Sequence, residues 1–194
     1  MMAPPRRLVL ASTSRYRREL LARLGLAFEV LAPEADESPL PGESAADLAL
    51  RLAVLKARSV RAGDALVIGS DQAAALEGRL LGKPGGHEAA VRQLRELSGK
   101  AADFHTAIAL LDSKSRQVET RVVACRVTFR QLDERRIEAY LRREQPYDCT
   151  GSAKAEGLGI ALLARIETDD PTSLIGLPLI ALTELLERAG MPVL

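Results

Sequence analysis

Three arginines stand where a helix would gain nothing from them. Arg15, Arg17 and Arg18 follow Ser12-Thr13-Ser14 and open a segment whose Leu20, Leu21 and Leu24 make one apolar side. That pattern is a helix starting near residue 15, with Gly25 as its stop. A helix N-terminus carries unpaired N–H groups and partial positive charge, so cations there make sense when an anion joins them. Leu8 to Leu10 reads as a buried strand ahead of the loop, and the three hydroxyls add donors and caps. Strand, small polar loop and helix together form a phosphate cradle.

Other polar residues stand out. Asp71 follows the apolar strand pattern Ala65 to Gly69. Strand carboxyl ends line the ligand crevice of open α/β sheets, and a carboxylate there can hold a metal or act as general base on water; a turn-former is the plainer alternative. Lys83, in Gly82-Lys83-Pro84, is a point charge suited to phosphate or a solvated loop lysine. Lys56 lies beside the stripe Leu48, Leu52, Leu55 and carries the same ambiguity. Asp36 and Glu37 are surface charges taken alone, but beside a phosphate cradle they are candidate Mg²⁺ ligands. His87 and His105 have no partners at metal-ligand spacing and read as structural. The glycine-rich loop Thr150 to Gly159 is too polar for a core, and its Glu156 could accept hydrogen bonds from base N–H donors such as the N1–H and N2–H₂ edge of guanine. Neither the P-loop nor the G-x-G-x-x-G fingerprint occurs.

The elements that must position these residues alternate early in the chain. Strands are expected over Leu8–Leu10, Ala27–Leu31, Ala65–Gly69, Phe104–Leu110, Val123–Arg130 and Ile160–Ile166. Helices are expected from Arg15, from Ser44 (with Asp47 completing a capping box) to Gly63, over His87–Leu97, from Asp133 to about Arg143, and over Leu177–Ala189. Glu77-Gly78 is a hairpin turn, and the proline-rich stretch Ala32–Gly42 is an exposed loop. This implies an α/β protein with a mixed sheet and two lobes around a cleft.

With 194 residues and 47% of them apolar, one domain over residues 1–194 can bury its core without disulfides. A net charge of +1 and 3% aromatic residues argue against a nucleic acid polymer or a membrane surface as partner. Cys125 and Cys149 lack zinc or redox spacing, and no leader or spanning segment is apparent, so the expected setting is the cytoplasm.

The chain resembles the Maf family of nucleotide pyrophosphatases over nearly its whole length. The resemblance rests on Leu10-Ala-Ser-Thr-Ser14 with Arg17-Arg-Glu-Leu-Leu21, Glu34-Ala-Asp-Glu37, Lys56-Ala57, Gly69-Ser-Asp-Gln72, Gly82-Lys-Pro84, Gly151-Ser152, Glu156-Gly157 and Gly176-Leu-Pro178, in that order. It implies an elongated mixed sheet with flanking helices around a cleft, in many members a homodimer. It also implies hydrolysis of a nucleoside triphosphate to the monophosphate and diphosphate with a divalent cation, Mg²⁺ or Mn²⁺. Asp71 falls on the family's proton acceptor, and Ser12, Arg17, Glu37, Lys56 and Lys83 fall on its polar cleft residues, Glu37 and Asp71 being the metal candidates.

Three departures from the commonest family pattern, Ser14-Arg-Tyr-Arg17, Asp71-Gln72 and Lys154-Ala-Glu156, resemble the branch that hydrolyses 7-methyl-GTP, with Tyr16, Gln72 and Glu156 at the specificity positions. A 7-methylated guanine is cationic, so an aromatic face attracts it and Glu156 reinforces the attraction. That branch can carry Pro-Trp where this chain has Arg15-Tyr16. Cleavage of dTTP, UTP or other non-canonical nucleotides, a phosphomonoesterase, and a nucleotide-binding regulator of cell division with little catalysis are the alternatives.

Overall fold

The run Leu8-Val9-Leu10-Ala11 is apolar throughout because both of its faces are covered. In the computed structural model, which describes residues 6–194, it lies in β1 (Arg7–Ala11), flanked in parallel by β2 (Glu29–Leu31) and β3 (Ala65–Leu76). The expectation of no leader and the first positions of the 1–194 domain involve residues 1–5, which lie outside the described residues.

β3 turns back through Glu77-Gly78, both at positive φ, into β4 (Arg79–Leu81), the signature of a two-residue type I′ hairpin loop. β5 (Ala101–Asp112) and β6 (Val118–Phe129) extend the sheet antiparallel, and β7 (Leu163–Thr168) closes its far edge. Among the described residues the sheet has seven strands, in the order β2-β1-β3-β5-β6-β7, with β4 beside β3. It is the expected mixed sheet with flanking helices.

Three apolar clusters divide the helices over it. α2 (Ala45–Ser59) covers one face of β1, β3 and β5, while α1 (Arg15–Ala22) and α5 (Leu179–Arg188) cover the other through Leu20, Leu21, Leu182, Leu185 and Leu186. At the opposite end α3 (His87–Leu97) and α4 (Glu134–Glu144) pack Leu94, Leu97, Ile137 and Leu141 onto Phe104, Val127, Phe129 and Leu163. The 12-residue strands β3, β5 and β6 run through both ends, so the two lobes share one sheet.

The structure departs from the expected elements in four places. First, β3 does not stop at Gly69, so Asp71 lies mid-strand rather than at a strand's carboxyl end. The crevice rule still describes the local geometry. β1 pairs with β3 only as far as Ala11 opposite Gly69, and β4 pairs from Ala74 onward. Residues 70–73 of β3 therefore face a gap, on the side where the β1 loop leaves the sheet.

Second, the buried stripe of α2 is out of phase with the expected one. Leu55 is exposed, and the buried face runs through Ala45, Leu48, Ala49, Leu52, Ala53, Lys56 and Ala57. Close approach sets this phase. A Cβ on Gly69 would lie 2.1 Å from the carbonyl oxygen of Ala53 and 2.7 Å from the amide nitrogen of Ala57, so α2 rests its alanines directly on the β3 backbone. Lys56 is thereby rolled under the helix.

Third, residues Leu158–Leu162 form a 3₁₀ turn, and β7 begins only at Leu163. Gly159 packs where a Cβ would meet the Lys154 backbone at 2.5 Å, which folds the loop onto itself instead of extending it. Fourth, at the edge opposite β7, β2 is shorter than expected, starting at Glu29.

Candidate functional site

The gap beside β3 opens into a cleft of about 270 Å³ lined by Ser12, Tyr16, Arg17, Glu37, Lys56, Asp71, Gln72, Lys83 and Glu156. These candidates, scattered from residue 12 to residue 156, thus meet in one cavity, near the lower end of the ~300–1,000 Å³ range of small-molecule sites; Arg15, Arg18 and Asp36 do not line it, and Asp36 instead accepts from Ser38 N at 2.9 Å. His87 and His105 are not among its lining residues. His87 bonds Tyr147 and Glu138 at 3.0 Å each, as a structural residue.

Charge pairing organises the floor. The Lys56 ammonium, 5% exposed, sits 2.6 Å from Asp71 Oδ1 and 2.7 Å from Glu37 Oε1. Asp71 is itself buried, whereas Glu37 projects from its loop with half its side chain in solvent. Partial burial pushes the Glu37 carboxyl up, but the Lys56 bond and charge, with Lys83 and Arg17 adding, hold it net below the usual carboxylate range. Asp71 Oδ2 has no hydrogen bond to the described residues and is not sealed from solvent, so it is free toward the cleft. Lys56 therefore does not snorkel; it is buried against two carboxylates, a role the sequence reading did not anticipate.

The Glu37 loop is tied down from α2. Arg51 grips Glu43 through two nitrogens, at 2.6 and 2.8 Å, and donates to Ser38 O at 3.0 Å.

The cradle has the expected strand–loop–helix form. Ser14 caps α1 by accepting from the Arg17 amide, and Ser12 Oγ accepts from the Ser14 amide at 3.1 Å, leaving the Ser12 hydroxyl proton free. Arg17 spends its Nε on Gly176 O at 2.9 Å, which aims the other guanidinium nitrogens away from that carbonyl. Burial pushes the Arg17 guanidinium below its ordinary value, and the charges of Asp71 and Glu37 pull it part of the way back. Lys83 is exposed and forms no ion pair with the described residues. It follows β4, and its charge reaches Glu37, whose carboxyl it helps to lower.

At the other end of the cleft, the Gln72 amide nitrogen donates to Thr106 Oγ1, Ser173 O and Leu174 O at 2.9–3.1 Å. With that nitrogen committed, the amide oxygen is the end left for a ligand. The Tyr16 ring has Arg15 at 4.7 Å and Lys154 Nζ at 5.9 Å from its centroid. Glu156 is exposed, on the loop held by α4.

Several lining residues escaped the sequence reading: Phe104, Asp148, Cys149, Leu174 and Ile175, the last two in the carbonyl-bearing turn Ser173–Ile175. The turn gave one faint signal, the acid pair Asp169-Asp170. Asp170 is buried and accepts from Ile180 N at 2.7 Å and Ala181 N at 3.2 Å, so it caps α5 and fixes the turn that Arg17 and Gln72 hold.

Comparison with known proteins agrees with this geometry. A protein of Thiobacillus denitrificans named 7-methyl-GTP pyrophosphatase is 61% identical over 189 residues, covering 96% of this chain and 94% of its own. Proteins of the same name from Cupriavidus pinatubonensis and Nitrosococcus oceani are each 56% identical, covering 97% and 99% of this chain and 96% and 97% of theirs. Residues 7–189 match the family described as Maf-like protein, and with that match running from β1 to the end of α5 the chain belongs to the Maf family.

Proposed function

We propose that this chain hydrolyses 7-methyl-GTP to 7-methyl-GMP and diphosphate, acting as one catalytic domain over residues 1–194. The observation that carries the reading is the shared ammonium: Lys56 holds Asp71 and Glu37 together on the floor of a cleft whose rim has Arg17 and Lys83. A nucleotide binder without chemistry has no use for two carboxylates where phosphates must lie, since they repel them.

The donor set fits a divalent cation, Mg²⁺ or Mn²⁺. Among the described residues no group of three or more Asp, Glu, His or Cys side chains gathers. Mg²⁺ is commonly bound by one or two carboxylates, with phosphate oxygens and water completing its shell, and Glu37 and Asp71 would hold it. When bound, it supplies charge neutralisation at the phosphates.

Asp71 Oδ2 takes a proton from water. The water oxygen bonds to the α-phosphorus, the bond from that phosphorus to the α,β-bridging oxygen breaks, and diphosphate leaves with the displaced electron pair. Lys56 holds Asp71 in place through Oδ1, and Arg17, Lys83 and the Ser12 hydroxyl hold charge on the phosphates. Most of the acceleration is positioning and electrostatics. Tyr16 offers its ring to the cationic base, while Gln72 Oε1 and Glu156 supply acceptors. The proposal includes free nucleotide as substrate rather than a nucleic acid polymer, a cytoplasmic setting, and a homodimer to be sought by sedimentation.

A panel of 7-methyl-GTP, GTP, dTTP and UTP with Mg²⁺ or Mn²⁺, scored for diphosphate against orthophosphate, tests the reading. Diphosphate released fastest from 7-methyl-GTP is the expected result. Faster cleavage of dTTP overturns the specificity, orthophosphate overturns the reaction, and no release with either metal favours a regulator. Asp71→Asn lowers turnover by about 10²–10⁴-fold with the fold intact; near-normal turnover removes Asp71 from the mechanism.

A further inference from the structure

Among the described cations that line the cleft, Lys154 stands at the base end, by the Tyr16 ring, rather than at the phosphate end. It lines the cavity with Tyr16 and Glu156, and two side chains of α4 lock it there. Tyr140 Oη accepts from the Lys154 amide at 3.0 Å, and Glu144 Oε1 accepts from its ammonium at 2.8 Å. Glu144 also accepts from Leu158 N at 2.8 Å through Oε2, so one carboxylate, 12% exposed, fastens both sides of the turn that carries Glu156. A Cβ on Gly157 would lie 2.7–3.0 Å from that carboxylate group, so the turn closes tightly over it.

An ammonium has three N–H donors and no acceptor. Glu144 uses one, and the Nζ lies over the Tyr16 ring, 5.9 Å from its centre, so two donors remain beside the ring that a base would approach. The hydrogen bond to Glu144, above all, keeps the group protonated, with the charge of Glu156 also contributing.

We propose that Lys154 is a specificity-determining residue that donates to O6 of the guanine ring, while Glu156 two positions later accepts from N1–H and N2–H₂. The assignment rests on the proposed guanine-nucleotide activity. A donor beside two acceptor oxygens matches the acceptor–donor–donor edge of guanine. Adenine presents an amino group where Lys154 needs an acceptor, and a pyrimidine stacked on Tyr16 is too short to reach both. Glu144 is a positioning residue in this scheme, and it also cancels the lysine's charge, which would otherwise oppose a cationic 7-methylguanine.

Two probes that differ at O6, and with it at N1–H, make the test: GTP and 2-aminopurine riboside triphosphate, which has neither, each measured as a competitive inhibitor of 7-methyl-GTP cleavage. In the unmodified protein GTP binds more tightly by at least about tenfold to hundredfold, the range for one charge-assisted hydrogen bond. In Lys154→Met the O6 share of that difference collapses, a drop of about tenfold or more that leaves the share Glu156 takes from N1–H, and KM for 7-methyl-GTP rises by a similar factor with kcat changed less. Lys154→Arg restores part of the discrimination. Should Lys154→Met fold poorly because Glu144 is left unpaired, the double variant Glu144→Gln, Lys154→Met removes both charges and gives the same collapse.

Discrimination unchanged in Lys154→Met, or equal weakening of both probes as a phosphate contact would give, overturns the assignment. 2-Aminopurine fluorescence, quenched on stacking, reports binding without turnover, with GTP as the displacing competitor. The comparison therefore stands even if the unmodified protein releases no diphosphate, a result that would overturn the proposed activity by itself.

Discussion

Replacing Lys56 by Met separates the electrostatic job of this residue from its packing. The side chain is 6% exposed and bonded to Asp71 at 2.6 Å and Glu37 at 2.7 Å, with side-chain exposures of 11% and 54%. Methionine fills nearly the same volume, so the loss is chiefly electrostatic. The half-exposed Glu37 loses little, since water replaces the ammonium. Asp71 is different: a buried carboxylate without its cation costs about 3–5 kcal/mol. At ~2–4 °C per kcal/mol for a chain of this size, the melting temperature should fall by about 6–20 °C. Adding Asp71→Asn to Lys56→Met removes the stranded charge and should recover most of that loss, while neither variant turns over nucleotide. Thermal and urea unfolding of the single and double variants measure this. A double variant no more stable than Lys56→Met would refute the reasoning, because it would trace the loss to packing and not to an unpaired Asp71.

The remaining predictions concern the two ends of the cleft. Tyr16→Ala should raise KM for 7-methyl-GTP about fivefold to thirtyfold, the worth of a cation–π contact of ~1–2 kcal/mol, and raise that for GTP less; an equal effect on both nucleotides would remove the cationic base from the argument. Glu43, pulled down to about 2 from 4.5 chiefly by its hydrogen bond to Arg51, has a folded value below its unfolded one. The stabilisation it contributes is therefore complete above pH 4.5 and lost as pH falls from there toward about 2. Thermal melts across that window should be steeper with pH in the unmodified protein than in Arg51→Met, and parallel curves would show that the pair contributes nothing.

The positions of Arg17, Lys83 and Asp71 could be anticipated because each breaks a local rule: a cation at a helix start, a cation in a rigid turn, an acid in an apolar strand. Lys56 broke no rule visible along the chain. Its role depends on which face of α2 meets the sheet, and that was set by Gly69, whose missing side chain lets Ala53 and Ala57 approach. Leu55 looked the better core residue by hydropathy, yet it is the exposed one. A helix with apolar residues on most of its circumference has no unique phase until it docks, so the sequence could not decide between Leu55 and Lys56. The pairing of Glu144 with Lys154 is hidden for the same kind of reason: it joins the end of α4 to a loop ten residues later through a turn whose closure depends on Gly157 and Gly159.

These two supports differ in kind, and the difference bears on how the site can change. Asp71 and Lys56 are fixed by elements at the centre of the fold, a strand with partners on both sides along most of its length and a helix resting on its backbone. Moving either means moving the core. Lys154 and Glu156 depend on a loop buttressed by Tyr140 and Glu144, and Tyr16 on the exposed first turn of α1. Substitutions at the base end therefore exchange one ligand edge for another at small cost to folding, whereas those at the floor remove stability and chemistry together. By this argument a change of base preference within such a fold calls for altered side chains at positions 16, 154 and 156, with Asp71, Lys56 and Arg17 left as they are.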